Sequence, residues 1–385
     1  MLNPIQFIPG RLPQESEQLR LELREFLMEE RRSGALPAPG YVGMKVAHDF
    51  TRKLGARGWI GLTWPKEYGG GGRSNMDRYV VTEELLAVGA PVRLHWVTDR
   101  QTGPIILRFG TEEQRRHYLP AIARGECTFA VGLSEPNIGS DLASLRTQAT
   151  KVEGGWRING GKLWTSNIHN AQAVLTLVRT SSSPDNRHDG LSQFIVPVPS
   201  KGLTIRPIIN IAHEHDFNEV FFDEVFVPDD AILGTVDQGW QQVGTELAYE
   251  RSGPERWLSA FRLLAHLNEA LDGHVSDDTA AAMGRLYSHL LTLRQMSISV
   301  AVMLEHGQSP NLEAAVVKDL GTCFEQGMVS IARDIVNSER LDRRRKDGLL
   351  GELLDHAQLW TLAFTIRGGA REVMRGIIAR GLGLR

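Results

Sequence analysis

The stretch Phe129-Ala-Val-Gly-Leu-Ser-Glu-Pro-Asn-Ile-Gly-Ser-Asp141 decides how the rest of the chain is read. It stands where a helical style of sequence gives way to a strand style. Its small and hydroxyl residues, with Pro136 and Gly139, make a tight loop whose backbone N–H groups and hydroxyls can face a ligand's polar edge. Taken alone, a loop of this kind is more often a plain turn. Upstream, Leu19, Leu23, Phe26 and Leu27 fall on one face of a helix predicted from about Glu15 to Glu30. The helical style continues to about Arg124, with Gly/Pro breaks at 37–43 and 64–72.

Downstream, short runs bounded by turn residues read as strands: WRINGGKLW (156–164), AVLTLV (173–178), SQFIVPV (192–198) and VFFDEVFV (220–227). Their spacing predicts a small antiparallel barrel or sandwich. After Pro228 the apolar period returns to that of a helix, with segments near 237–271, 277–306, 312–337, 349–364 and 370–380, best read as a bundle. The expected fold class is therefore α+β multidomain. An N-terminal α-helical domain covers 1–126, a middle antiparallel β-barrel 127–230, and a C-terminal four-helix bundle 231–385.

A chain of 385 residues is too long for one core. Its 42% hydrophobic and 23% charged residues give the balance of an ordinary globular protein and exclude disorder as the main theme. A net charge of -3 gives no global reason to bind nucleic acid or an anionic membrane surface. Cys127 and Cys323 lack paired spacing, so neither a disulfide framework nor a zinc site is expected. His213 and His215 form a His-x-His without further ligands, and no metal is expected there. The N-terminus has no basic stretch followed by an apolar run, which predicts a cytoplasmic protein with no membrane insertion.

A second cluster, Asn159-Gly-Gly-Lys-Leu-Trp-Thr-Ser166, looks by itself like a hairpin ending in a buried Trp. The two clusters in this order resemble the acyl-CoA dehydrogenase family. LGARGWIGLTWPKEYGGGG (54–72), FGTEEQRRHYLPAIARGE (109–126), VFFDEVFVPDDAILG (220–234), LAYER (247–251) and GGAREVMRGIIARGLGL (368–384) extend the resemblance over nearly the whole chain. It implies FAD as cofactor, an acyl-CoA as substrate and an electron-transfer flavoprotein as electron acceptor. It also implies that Val131, Leu133 and Ser134 lie along the isoalloxazine ring, with Gly139 in the same loop and Ser134 hydrogen-bonded to the ring's pyrimidine edge. Trp164, Thr165 and Ser166 would approach its other side, Ser166 near N5. Donors aimed at the ring stabilise the negative charge it gains when it accepts a hydride. Ser140 matches the family position that touches the pantetheine arm.

The reaction needs a base, because a thioester α-proton is only weakly acidic. The resemblance offers two places for it. At the first, Ile366-Arg-Gly-Gly-Ala-Arg-Glu-Val373 has Gly368, so a base is missing there. At the second, Leu247-Ala-Tyr-Glu-Arg251 supplies Glu250, as in isovaleryl- and long-chain-type members. Glu250 is then the catalytic base, with Arg251 orienting it or meeting the CoA. Gly368 keeps a backbone N–H for the thioester carbonyl, and its missing side chain is expected to leave room for Glu250.

Two family motifs that reach the FAD of a neighbouring subunit are absent. An Arg-x-x-Phe is replaced by NEALDGHVSDDTAAAMGRL (268–286), and a Gln-x-x-Gly-Gly-x-Gly loop by DIVNSERLDRRRKDG (334–348). The basic run Arg343 to Lys346 reads better as a solvated loop than as a phosphate site. These departures suggest either a divergent subfamily or a chain that works beside a related, non-identical subunit, so the expected assembly is a homo-oligomer (dimer or tetramer) or a heteromer with a related chain. The alternatives to the dehydrogenase are a flavin monooxygenase or oxidase on the same fold and a partner subunit that completes a neighbour's FAD site.

Overall fold

A computed structural model describes residues 5–36, 46–182, 186–251, 253–273, 275–341 and 349–384, without the side chains of 245–250. The Gly/Pro break at 37–43 and the basic run Arg343 to Lys346 lie outside the described residues. In chain order the helices are α1 (Gln14–Arg32), α2 (His48–Ala56), α3 (Asn75–Ala87), α4 (Arg93–Val97), α5 (Gly103–Phe109), α6 (Glu112–Ala123), α7 (Gly239–Glu250), α8 (Phe261–Leu271), α9 (Asp277–Glu305), α10 (Asn311–Ser338), α11 (Leu349–Trp360) and α12 (Arg371–Gly381). The strands are β1 (Phe129–Gly132), β2 (Gln148–Val152), β3 (Gly155–Lys162), β4 (Ala173–Arg179), β5 (Leu191–Pro197), β6 (Leu203–Ile209), β7 (His215–Pro228) and β8 (Ile232–Leu233).

The chain forms two compact units. One joins 1–45, 73–91 and 250–385; the other joins 46–72 and 92–249. In the first, the predicted face of α1 is buried as expected, with Leu19, Leu23, Phe26 and Leu27 all inside. That face packs on α3, α3 packs on α9, and α10 touches α8, α9, α11 and α12. Ser74 and Ser276 start α3 and α9 by accepting from the N–H groups of Asp77 and Thr279. The single helical segment expected over 237–271 is broken into α7, a short 3-10 turn over Pro254–Arg256, and α8. Pro254 lacks the N–H that a continuous helix needs, and Gly253 adds freedom where the chain turns.

The second unit is built on one sheet in the order β6-β7-β3-β2-β4-β5-β8, with β1 added beside β4. It is mixed, not wholly antiparallel: β1 runs parallel to β4 from Phe129 opposite Ala173 to Gly132 opposite Thr176. Among the described residues β6 and β8 end the order without pairing to each other, so the expected barrel is an open sheet there. β4 and β5 are buried almost throughout, the pattern of strands covered on both faces. Trp156, Ile158, Val174, Phe194, Val220 and Phe222 form their shared core. The motif 54–72 folds around Trp64, whose ring lies so close to Gly103 that a Cβ there would stand 2.2 Å away. Thr111 caps α6 with a reciprocal bond to Gln114, the local reason this helix begins where it does.

Among the described residues no helix is long and apolar enough to cross a membrane, and no His/Cys/Asp/Glu group is placed to hold a metal. Cys127 and Cys323 are both free.

Candidate functional site

β1 brings Val131 to the sheet, and the Thr176 hydroxyl donates to the Gly132 carbonyl at 3.1 Å. The chain then leaves the sheet at Leu133. Glu135 and Ile138 exchange both backbone hydrogen bonds, at 2.8 and 3.0 Å, and so close a turn around Pro136 and Asn137. Val131, Leu133 and Ser134 stay half-buried, while Gly139 and Ser140 are exposed beyond the turn. Arg179 supports the following segment by donating to the carbonyls of Ala143 (2.8 Å) and Asp189 (3.1 Å).

The second cluster is not a hairpin. β3 runs through it to Lys162, paired to β7 as far as Lys162 opposite Val220, with an irregularity between Ile158 and Gly160. Nor is Trp164 buried: it is 55% exposed, with φ at +61°, and meets the edge of Phe217. A bulky residue in the left-handed region is uncommon and points to function. The segment is held from behind by the start of β7. Thr165 and Asn218 exchange backbone bonds at 3.0 and 3.1 Å, Asn167 donates to the Asp216 carbonyl at 2.9 Å, and the Asn218 amide donates to the Thr165 carbonyl at 3.0 Å. Thr165 is itself buried, which leaves Trp164 and Ser166 as the residues this segment presents.

The two clusters are tied directly, since the Leu163 N–H donates to the Ser134 carbonyl at 2.8 Å. Among the described residues, neither Ser134 nor Ser166 donates a backbone N–H or a hydroxyl to any protein acceptor. Two half-buried serines on adjoining segments thus keep their donors for something outside the protein, beside an exposed aromatic ring. That donor set fits a flat ligand with a polar edge, and it suits the FAD ring implied by the sequence. Sequence reasoning missed Lys162 and Glu135, which lie beneath this loop as a buried ion pair 2.9 Å apart. The Lys162 position in the quoted motif was its only signal.

In the other unit, Gly368 sits in a turn that precedes α12. Gly369 donates to the Ile366 carbonyl at 3.2 Å, and φ is +73° at Gly368 and +104° at Gly369. Three cations pin this turn through its carbonyls: Lys318 to Thr365 at 2.8 Å, Arg256 to Arg367 at 3.3 Å, and Arg251 Nε to Gly368 at 3.2 Å. Burial, with Arg256 and Arg367 nearby, pushes the Lys318 ammonium down to about 8. The Gly368 N–H has no acceptor among the described residues. The room expected beside Gly368 is filled, because a Cβ there would stand 2.9 Å from Arg256 Nη2. Glu250 ends α7, and its side chain lies outside the described residues.

The acyl-CoA dehydrogenase N-terminal domain family matches residues 13–126, and the acyl-CoA dehydrogenase middle domain family matches 130–225. The chain is 32% identical to "Acyl-CoA dehydrogenase FadE26" of Mycobacterium tuberculosis, over 96% of this chain and 97% of that one. Among solved structures it is similar to the "Tcur3481-Tcur3483 steroid ACAD", with a TM-score of 0.85 and 29% identity over 97% of this chain and 98% of that one. It is likewise similar to the ChsE4-ChsE5 complex from Mycobacterium tuberculosis, with a TM-score of 0.83 and 31% identity over 98% of this chain and 99% of that one.

Proposed function

The chain belongs to the acyl-CoA dehydrogenase family of FAD-dependent oxidoreductases, and on that premise we propose that it converts an acyl-CoA thioester to the trans-2-enoyl-CoA. The observation that carries the reading is the set of unengaged donors of Ser134 and Ser166 beside the exposed Trp164. FAD, when bound, supplies the two-electron acceptor for the β-hydride. Val131, Leu133 and Ser134 would hold the ring from one segment, with Gly139 in the same loop, and Trp164 and Ser166 from the other, where the buried Thr165 between them would act through its backbone. Ser140 would meet the pantetheine arm of the substrate.

Glu250 takes the α-proton, so that the electrons of the broken α-C–H bond form the new double bond as the β-hydride departs. The Gly368 N–H donates to the thioester carbonyl, where negative charge collects while the proton leaves. Arg251 holds the Gly368 carbonyl and so sets the direction of the neighbouring peptide. An electron-transfer flavoprotein is the proposed acceptor of the electrons. Within this reading the chain divides into 1–126, 127–230 and 231–385.

A steroid side chain is a proposed acyl group, supported by the name of one similar structure, "steroid ACAD". The absent Arg-x-x-Phe and Gln-x-x-Gly-Gly-x-Gly motifs, together with similarity to the ChsE4-ChsE5 complex, support a heteromer with a related chain. The test is an absorption spectrum of the FAD-loaded protein titrated anaerobically with a panel of acyl-CoAs, including steroid side-chain thioesters. Bleaching of the flavin band by at least one of them is expected. No bleaching with any, by the chain alone or with its related partner, would overturn the dehydrogenase reading.

A further inference from the structure

The ion pair beneath the flavin loop has no part in the chemistry above, yet it touches the loop at a telling atom. Lys162 is the last residue of β3, and its side chain is 0% exposed. Its ammonium donates to Glu135 Oε1 at 2.9 Å and to the Leu133 carbonyl at 3.1 Å. Both Glu135 oxygens are engaged, Oε2 by the Arg146 N–H and Oε1 also by the Thr147 N–H, each at 2.8 Å. Burial pushes the Glu135 carboxyl up, but Lys162, Thr147 and Arg146 outweigh it and hold it below the usual range. Burial pushes Lys162 down to about 8 against the pull of Glu135. Both groups are therefore charged at neutral pH. For stability alone, an apolar pair of the same volume would often serve as well or better.

The Leu133 carbonyl and the Ser134 N–H are the two ends of one peptide unit. A cation on the oxygen draws electron density along the amide and makes the N–H at the far end a stronger donor, as hydrogen bonds in a chain polarise one another. That N–H is one of those with no protein acceptor among the described residues. The next carbonyl, of Ser134, is held by Leu163, so the unit is fixed on both sides.

We propose that Lys162, kept charged and in place by Glu135, is a positioning residue that strengthens the Ser134 N–H as a donor to the FAD ring, most of all when the ring carries negative charge. The inference rests on the flavin reading of this loop. Removing the cation should weaken FAD binding and weaken the reduced form more than the oxidised one.

The experiment uses the FAD-loaded protein, with its related chain where loading needs one. It compares wild type, Lys162→Met, Glu135→Gln and the double variant by FAD dissociation constant, by midpoint potential and by thermal melting. Lys162→Met leaves Glu135 unpaired and is prone to misfold, so the double variant, with both charges gone, is decisive. The double variant is expected to melt near wild type, to bind FAD about tenfold more weakly, and to have a more negative midpoint potential. Glu135→Gln alone removes the counter-charge that holds the buried Lys162 ammonium charged against burial, so it is expected to shift the potential in the same negative direction as the double variant. A double variant with the wild-type potential would make the pair merely structural and overturn the inference. A wild type that takes up no FAD would instead overturn the flavin reading itself.

Discussion

At Gly368 the backbone has φ of +73°, and Arg256 Nη2 stands 2.9 Å from where a side chain would begin. Placing the family's other base here therefore meets both strain and a packed guanidinium. Gly368→Glu is expected to destabilise the fold by about 1–3 kcal/mol, seen as a fall in melting temperature. It is also expected not to rescue a Glu250→Gln variant; recovered flavin reduction in the double variant would show that Arg256 moves aside. Glu250→Gln by itself should keep FAD and acyl-CoA binding but reduce the flavin at least ~100-fold more slowly, because it removes basicity and little else. Single-turnover spectra check this, and a wild-type rate would make Glu250 a bystander. His95 gives a pH-dependent case. Burial, with Arg100 adding to it, pushes its pKa from the ordinary 6.5 down to about 3, so the folded protein keeps this ring neutral. The unfolded chain binds the proton first, so its contribution is complete above 6.5 and is lost as pH falls toward 3, on the order of 5 kcal/mol in all. His95→Gln should flatten that part of the stability profile, as measured by urea unfolding between pH 6.5 and 4.

Helices α1, α3 and α9 are joined by a charge network around the buried Arg20, Glu83 and Glu84 as well as by apolar contact. Arg20 bonds to Glu83 at 2.8 Å and to Glu84, Arg24 bonds to Glu84 at 2.7 Å, and Arg294 bonds to Glu83 at 2.7 Å. Removing one cation leaves carboxylates short of counter-charge inside the unit. Because Arg24 and Arg294 remain, Arg20→Met should cost about 2–3 kcal/mol, less than breaking an isolated buried pair. Urea denaturation checks it, and a loss under about 0.5 kcal/mol would reduce the network to surface ion pairing. Burial pushes the Glu83 carboxyl up, but Arg294 and Arg20 outweigh it and hold the carboxyl below its ordinary 4.5. Its contribution is thus present above pH 4.5 and is lost as pH falls through the folded-state value. The acid limb of the stability curve should steepen in wild type relative to Glu83→Gln.

For the molecule as a whole, the missing FAD motifs of the C-terminal segment make assembly the open variable. The chain purified by itself is expected to hold less than one FAD per chain, and co-expression with a related chain is expected to restore full occupancy in a larger species. Size-exclusion chromatography with light scattering and flavin absorbance reads both quantities together. Full occupancy in a homo-oligomer would remove the need for a second chain.

The α, β, α order was legible in the sequence, because a change of apolar period from helix to strand and back is a local property that survives without coordinates. Leu19, Leu23, Phe26 and Leu27 identified the buried face of α1 for the same reason. The loop 129–141 and the segment 159–166 were legible as candidate sites because Gly, Pro, Ser and Trp stood in an order that resembles the family's. Strand direction was not legible: β1 and β4 are separated by the whole β2–β3 hairpin, and their parallel pairing depends on a return path that no local pattern encodes. The exposure of Trp164 was hidden likewise, since a tryptophan after a strand is ordinarily core, and only its left-handed backbone turns it outward. Gly368 marked a missing side chain in the sequence, but the guanidinium that fills the space comes from Arg256, more than a hundred residues earlier. Lys162 and Glu135 read as two ordinary charges, and only the fold buries them together beneath the Leu133 carbonyl. Local periodicity and motif order belong to the sequence because they need only neighbours along the chain; ion pairing, strand direction and filled space belong to the tertiary structure because their partners are distant until the chain folds.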